Sequence, residues 1–491
     1  REAGEMKRIF YKPKDGWVGD VIPFYDQGEF KLYFLHDRRE GGDYGNHTTW
    51  NLIATKDFLH FQEHGVSLSN GTEDDPDRNA YTGSVIKGRD GKYHLFYTGH
   101  NPNASYCENG KPLQVVLHAT GDDGIQWTKD SSFQLHGDAV IYERFDWRDP
   151  FVFWNEEEGQ YWMLVTSRLV GSSERRGGCI ALLVSSDLTN WEFREPFYSP
   201  GKYITMECPD YFRMGDWHYL VYSTFSEKFV THYKKSRSIS GEYGSPILDT
   251  FDGRGFYAAK TVSDGNRRYA FGWVPSKTGA SDFGDWEWAG TLVVHEVYQN
   301  GQGDLLVRMP EAINGYFIND MPLTLLKGHH FRATENGYLF GSKDGLAYGV
   351  FDPLPRQALI EATFSNWKDV KDFGIAVRTD DTLDRGYFIK FDPYHNRIGM
   401  DMWPRTKPGF FQWQIAGDKP SIIELERPFD FTAQDRVHAK VIIEDDILCL
   451  YVNDQVAMTT RIYNHKEGNL AVYANEGFVE VEDVRVRTGL A

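Results

Sequence analysis

The 491 residues carry 71 Asp and Glu against 53 Lys and Arg, a formal net charge of −18. That balance repels phosphate backbones and anionic membrane surfaces, so nucleic acid and lipid are excluded as natural partners. The length exceeds what one core organises and implies two large domains, and the 14 Trp and 28 Tyr suit a neutral carbohydrate partner whose C–H faces stack on aromatic rings.

Cys107, Cys179, Cys208 and Cys449 show no Cys-x-x-Cys spacing and are too few for a disulfide framework. Free thiols in a reducing compartment are expected. No basic-then-apolar leader pattern opens the sequence and no run of 18 apolar residues occurs, so no membrane span is expected and the expected place is the cytoplasm, with secretion the alternative. The sequons at Asn46, Asn70 and Asn103 arise readily by chance in a chain rich in Gly, Asn and Ser.

Taken in chain order, five segments match one another: "DQGEFKLYFLHD" from Asp26, "RDGKYHLFYTGH" from Arg89, "EEGQYWMLVTSR" from Glu157, "GDWHYLVYSTF" from Gly215 and "GNRRYAFGWV" from Gly265. Each is a turn followed by alternating aromatic and aliphatic residues, the pattern of a hairpin entering a half-buried strand. A second element follows three of them, "NLIATKDFLHF" from Asn51, "VLHATGDDGIQW" from Val116 and "ALLVSSDLTNW" from Ala181. Its Asp57, Asp122 and Asp187 read as turn formers. Five units of roughly 50–70 residues predict a five-bladed β-propeller over residues 1–305.

Ahead of each hairpin lies the expected innermost strand, "GDVIPFY" with Asp20, "TGSVIKG" with Ser84, "RDPFVFW" with Asp149 and "PDYFRMG" with Asp210. Acids at equivalent starts of successive innermost strands converge on the central channel, and Glu207 stands just ahead of one such start. After a linker over 306–318, residues 319–491 lose the repeat and show alternating strands such as "QALIEATFS" and "GYFIKFD", which predict a β-sandwich. The fold class is therefore all-β, with an N-terminal propeller and a C-terminal sandwich that packs on it and extends its cleft.

Three clustered carboxylates suit glycoside cleavage. The retaining mode needs two of them about 5–5.5 Å apart, one as nucleophile and one as acid then base. Asp20, Asp149 and Glu207 are the candidates. Because clustered anions do not all ionise, the one in the most apolar surroundings keeps its proton, and Glu207 between Met206 and Cys208 is best placed for that. Asp210 reads as a supporting hydrogen-bond partner or turn former. The scattered His lack metal-site spacing, so no metal and no cofactor are expected.

These residues together resemble glycoside hydrolase family 32, the invertase, inulinase and levanase family. "WRDP" at Trp147–Pro150 is similar to its Arg-Asp-Pro motif and "ECPD" at Glu207–Asp210 to its Glu-Cys motif. "YTGSV", "TTWNLIATKDFLHF", "FYAAKT", "FGWV" and "EWAGTL" resemble further motifs in the same order. The resemblance implies Asp20 as nucleophile, Asp149 as transition-state stabiliser and Glu207 as acid/base. It also implies Arg148 holding sugar hydroxyls and keeping Asp149 ionised, Trp17, Trp50 and Trp288 as pocket walls, and Ser84 as a hydroxyl contact. The nucleophile motif departs from the family's Trp-Met-Asn-Asp-Pro-Asn-Gly, reading "WVGDVIP" with Gly19 for the Asn, and Leu35 stands where the family has a Gln. The expected function is a retaining β-fructofuranosidase acting on fructo-oligosaccharides or fructans, by hydrolysis or by fructosyl transfer. An inverting furanosidase of a related propeller family, or a non-catalytic sugar-binding propeller, are the competing readings.

Overall fold

The computed structural model describes residues 7–405 and 425–489, so the expected outer limits of the two domains, residues 1 and 491, lie outside the described residues. Strand accounts for 57% of the chain and helix for 4%, which leaves the architecture to sheets alone. The tight hairpins follow from local chemistry. Between Asp26 and Glu29, which pair directly, Gln27 and Gly28 both adopt positive φ (51° and 78°), the two-residue turn whose twist matches the strands it joins.

Four-stranded antiparallel blades form at Trp17–Asp26 to Gln62–Leu68, at Asn79–Lys87 to Thr128–Lys129 and at Tyr142–Asn155 to Glu192–Tyr198. The fourth blade has three strands, Glu207–Met214, Trp217–Thr224 and Val230–Ser236, with isolated bridges at His232 and Lys235 extending its outer edge. The fifth comprises Tyr257–Ser263, Arg268–Lys277, Trp286–Gln299 and Leu305–Arg308. Its last strand runs to Arg308, past the expected limit at 305, because Leu305–Arg308 still pairs with Glu296–Gln299. The ring closes where Val18 of blade one pairs with Gly290 of blade five.

All five innermost strands share one irregularity. Their pairing to the second strand slips between Val18 and Val21, Tyr81 and Gly83, Arg148 and Phe151, Glu207 and Asp210, and Tyr257 and Lys260. Such bulges re-aim side chains beside a functional site. They also correct the expected alignment of the blades. The residues inside the bulges are Gly19 and Asp20, Thr82, Asp149 and Pro150, Cys208 and Pro209, and Ala258 and Ala259, so Ser84 and Asp210 both lie beyond that ring.

A short helix, Glu311–Tyr316, leads to the second unit, whose first strand Asn319–Met321 pairs with the last, Asn469–Thr488. Among the described residues one 13-stranded sheet folds over on itself into a barrel-like sandwich. The 20-residue strand Asn469–Thr488 pairs with Gly337–Pro353, Gln357–Ser365 and Asp372–Thr379 and so serves both layers. Between the layers lie Phe340, Phe364, Phe373, Phe391, Leu450, Val472 and Val479, all buried. The sandwich docks through buried polar groups. Arg461 donates to the carbonyls of Val274 and Pro275 in blade five, and Glu444 accepts from the backbone of Ile9 and Phe10. No helix among the described residues is long and apolar enough to cross a membrane.

Candidate active site

At the mouth of the propeller channel a cavity of about 290 Å³ is lined by Asp20, Asp149, Glu207, Arg148, Gln114, Thr82, Tyr81, Tyr44, Gly45, Leu35 and Trp288. Every one of these belongs to the propeller. Glu426, Arg427 and Pro428 of the sandwich instead line, together with Phe229, Arg254 and Trp286 of the propeller, a groove of about 720 Å³, so the sandwich extends a neighbouring surface rather than the acidic cavity itself.

Backbone strain delivers the acids to that cavity. Asp149 and Cys208 adopt left-handed φ of 59° and 52° at their bulges, a conformation costly for residues other than Gly and concentrated at functional sites. The bulge turns Glu207 and Cys208 both toward the channel, although they are neighbours that a regular strand would send to opposite faces. Cys208 then ties the acids together. Its amide donates to Asp149 Oδ2 at 3.0 Å and its thiol reaches Asp20 Oδ2 at 3.5 Å.

Asp20 accepts two further bonds, from the Thr82 hydroxyl at 2.5 Å and the Trp273 indole at 3.1 Å. Burial pushes its carboxyl pKa up, the Thr82 and Trp273 donors oppose that, and the charge of Glu207 adds to it. Asp149 is also raised, first by burial and then by Asp20, with Arg148 acting against both. Glu207 keeps 23% of its side chain exposed, more than either aspartate, and accepts from the Tyr257 hydroxyl and from Arg148 at 3.4 Å. Its pKa is raised by burial and by Asp149, against Arg148 and Tyr257. Burial, to which the flanks Met206 and Cys208 belong, is the first cause, and Arg148, Tyr257 and Asp149 adjust it.

Arg148 favours the Asp149 carboxylate, as expected, but without touching it. The guanidinium binds Asp146 at 2.6 Å, Gln114 at 3.1 Å, Thr205 at 3.2 Å and Glu207, and makes no bond to Asp149. It reaches Asp149 through its field alone. Trp288 does line the cavity, and Gly19 explains how. A Cβ at position 19 would meet the Trp288 ring at 2.8 Å and Leu35 Cβ at 2.9 Å, so the glycine lets indole and leucine close into one apolar wall.

Three expected contacts lie elsewhere. Trp50 is fully buried and donates to the Tyr81 carbonyl at 2.9 Å, behind the wall rather than on it. The faces of Trp17 are occupied by Lys12 and Arg39, each 4.4 Å from the ring centroid. Ser84 is buried and its hydroxyl accepts from Val152 N at 3.1 Å, joining blade two to blade three. Asp210 accepts from Thr261 N and Oγ1 and pins blade four to blade five. Asp57 and Asp187 cap their turns, but in blade two the capping residue is Asp123, one place beyond Asp122.

Sequence reasoning missed Thr82, Tyr257 and Trp273. All three lie inside stretches singled out as motifs, "YTGSV", "FYAAKT" and "FGWV", but only Thr82 sits in a bulge; Tyr257 precedes one and Trp273 pairs with Tyr257 from the neighbouring strand.

Residues 10–310 match the glycosyl hydrolases family 32 N-terminal domain and residues 341–488 the family 32 C-terminal domain. A raffinose invertase of Escherichia coli is 25% identical over 364 residues, covering 68% of this chain and 71% of its own. A levanbiose-producing levanase of Bacillus subtilis is 20% identical over 517 residues, covering 96% and 89%. The crystal structure of exo-inulinase from Aspergillus awamori superposes with a TM-score of 0.72 at 17% identity, covering 98% of this chain and 97% of that one. With both of its domains matched over most of their length, this chain belongs to glycosyl hydrolase family 32.

Proposed function

We propose that this protein cleaves β-fructofuranosidic bonds of fructo-oligosaccharides or fructans with retention of configuration. The observation that carries the reading is the convergence of Asp20, Asp149 and Glu207 on one cavity, cross-tied through Cys208. Glu207, the most accessible of the three and raised in pKa, protonates the leaving oxygen. Asp20, oriented by the Thr82, Trp273 and Cys208 donors, attacks the anomeric carbon as its carboxylate and forms a fructosyl ester. Asp149 balances the positive charge that develops on the ring. Glu207 then takes a proton from water, or from a second sugar where transfer competes, and that oxygen bonds to the anomeric carbon as the ester bond to Asp20 breaks, freeing the fructosyl product and the Asp20 carboxylate. The relatives named as raffinose invertase, levanase and exo-inulinase support a fructoside substrate. The apolar wall of Leu35 and Trp288 supports a preferred fructoside other than sucrose. The unpaired state of all four cysteines fits a reducing compartment and so a cytoplasmic place.

The test is incubation of wild type and Asp20→Ala with sucrose, kestose, inulin, levan and an arabinoside panel, with NMR of the first anomer released. Fructose or a fructosyl-transfer product of retained configuration from wild type alone is the expected result. Turnover of an arabinoside with inversion and of no fructoside would sink the proposal. Binding without turnover, unaltered in Glu207→Gln, would make the protein a sugar-binding propeller instead.

A further inference from the structure

Lys260 takes no part in the chemistry above. It follows Tyr257 by three residues on the innermost strand of blade five and is 2% exposed. A buried ammonium is costly unless something compensates it, and no carboxylate of the described residues forms an ion pair with this one. Its hydrogen bonds go to two carbonyls, Gly83 O at 3.2 Å and Pro209 O at 3.3 Å, and it lies 5.0 Å from the centroid of the Phe151 ring.

Those carbonyls have particular positions. Gly83 follows Thr82, whose hydroxyl donates to Asp20, and Pro209 follows Cys208, which donates to Asp149 and reaches Asp20. One ammonium therefore grips the bulges that supply every donor to the two aspartates except the Trp273 indole. The web closes through Thr98, which accepts from Asp149 N and donates to the Thr82 carbonyl. Gly83 is itself wedged, since a Cβ there would lie 1.8 Å from the Phe96 carbonyl oxygen, so its peptide has little room to find another partner.

We infer that Lys260 is a positioning residue for the glycosidic reaction, fixing the bulges of blades two and four and setting a positive charge near Asp149. This rests on the proposed function. The titratable groups that face the lysine are Asp149 and Cys208, both of which feel its charge. Asp20, Glu207, Arg148 and Tyr257 surround those two, while Asp210 is engaged by Thr261.

The experiment compares Lys260→Met, which loses charge and donor, with Lys260→Gln, which keeps a donor. Both are expected to move the acid limb of the kcat/KM profile up by about one pH unit, because a nearby cation no longer favours the carboxylates. The loss in kcat is expected to be about 100-fold for Met and about tenfold for Gln, with KM nearly constant, since misplaced reacting groups lower kcat. An acid limb unmoved in both variants, or losses that merely track melting temperature, would overturn the inference. So would failure of both variants to fold, which would make the lysine a folding residue. The carboxyl ¹³C titration of aspartate-labelled protein, assigned with Asp149→Asn, reads the same shift without substrate. Silence of wild type on every fructoside therefore defeats the proposed function, and an unmoved Asp149 resonance defeats the role of Lys260.

Discussion

Two regions of this molecule bury carboxylates, and they treat them in opposite ways. At the propeller–sandwich junction Asp252, fully buried, accepts four bonds, from Gly253 N at 2.6 Å, Thr459 N at 2.9 Å, Thr459 Oγ1 at 2.6 Å and His295 Nε2 at 2.9 Å. Asp282 likewise accepts from Tyr387, Tyr463 N and Asn464 N. Burial pushes the Asp252 pKa up, yet its His295 partner and the charges of His295 and Arg427 bring it below the ordinary carboxylate value. In the channel Asp149 has a single amide donor to its carboxylate, Glu207 has a phenol and a distant guanidinium, and both rise. Burial alone thus does not set proton affinity. The cations and donors around a buried acid, weighed against burial and neighbouring acids, decide whether it becomes a fixed anion or a group that holds and releases protons: Asp20, with three donors but the charge of Glu207 beside it, still rises.

The sharpest break of this contrast comes from removing the channel acids. Asp20→Ala, Asp149→Asn and Glu207→Gln are each expected to lower kcat by about 10³-fold or more, as loss of a nucleophile or acid does. Asp149→Asn and Glu207→Gln should not lower the melting temperature, because each removes a poorly compensated charge and keeps the side chain's shape, whereas Asp20→Ala strands the Thr82 and Trp273 donors and should lower it. The pH sign follows from the raised pKa of Glu207. The native state holds that proton to higher pH than the unfolded state, so wild-type stability falls as pH rises from the ordinary glutamate value through the raised one. The stability advantage of Glu207→Gln should therefore grow across that window, as read by urea unfolding. A loss of stability in Asp149→Asn and Glu207→Gln as well would remove the distinction.

Asp252→Ala is the converse. It strips a saturated site, leaves His295 and Thr459 without their acceptor, and is expected to cost about 3–5 kcal/mol. The kcat of the folded fraction should be unchanged. With its pKa depressed, Asp252 contributes stability that is present above the ordinary aspartate value and lost as pH falls through its lower folded value. The variant's acid unfolding curve should be flatter than that of wild type below pH about 4.

How far the sequence reveals this depends on periodicity. The five hairpins and the convergence of Asp20, Asp149 and Glu207 are legible because turn chemistry and strand alternation are local signals. The bulges are not, because a one-residue insertion is not recognised as such until the partner's register is known. That is why Ser84 and Asp210 were aligned with the acids while Thr82 and Cys208, the true ring members, were passed over. The tryptophans fail for a different reason. Composition cannot say which face of a sheet a ring occupies, so Trp50 and Trp288 look alike on paper. Substitution separates them: Trp50→Ala should cost about 3–5 kcal/mol through the cavity it leaves. Trp288→Ala should leave the fold intact and raise KM for the best fructoside about tenfold through lost ring contact. Equal effects on KM would mean that Trp50, too, shapes the cavity.

The smallest effect lies at the rim, where a third arrangement of carboxylates tests the same rule in solvent. His47 stands between Glu40, 2.8 Å from Nδ1, and Glu73, 2.7 Å from Nε2, and both hydrogen bonds raise its pKa. Glu40 begins the loop that supplies Tyr44 and Gly45 to the cavity, and Glu73 belongs to the connection into blade two. Protonated, the imidazole donates to both carboxylates and ties the two loops. Neutral, it donates to one. A raised folded pKa means that this tie is fully present below the ordinary histidine value and is lost as pH rises through the higher folded value. KM should therefore climb on the alkaline side of neutrality by no more than about fivefold, the scale of an exposed ion pair, and the climb should shrink in high salt. His47→Gln should hold KM near the alkaline value at every pH without touching kcat, because the acids of the channel lie beyond the loop it secures. A change in kcat would instead couple the rim to the channel and show that solvent-exposed and buried carboxylates are not independent here.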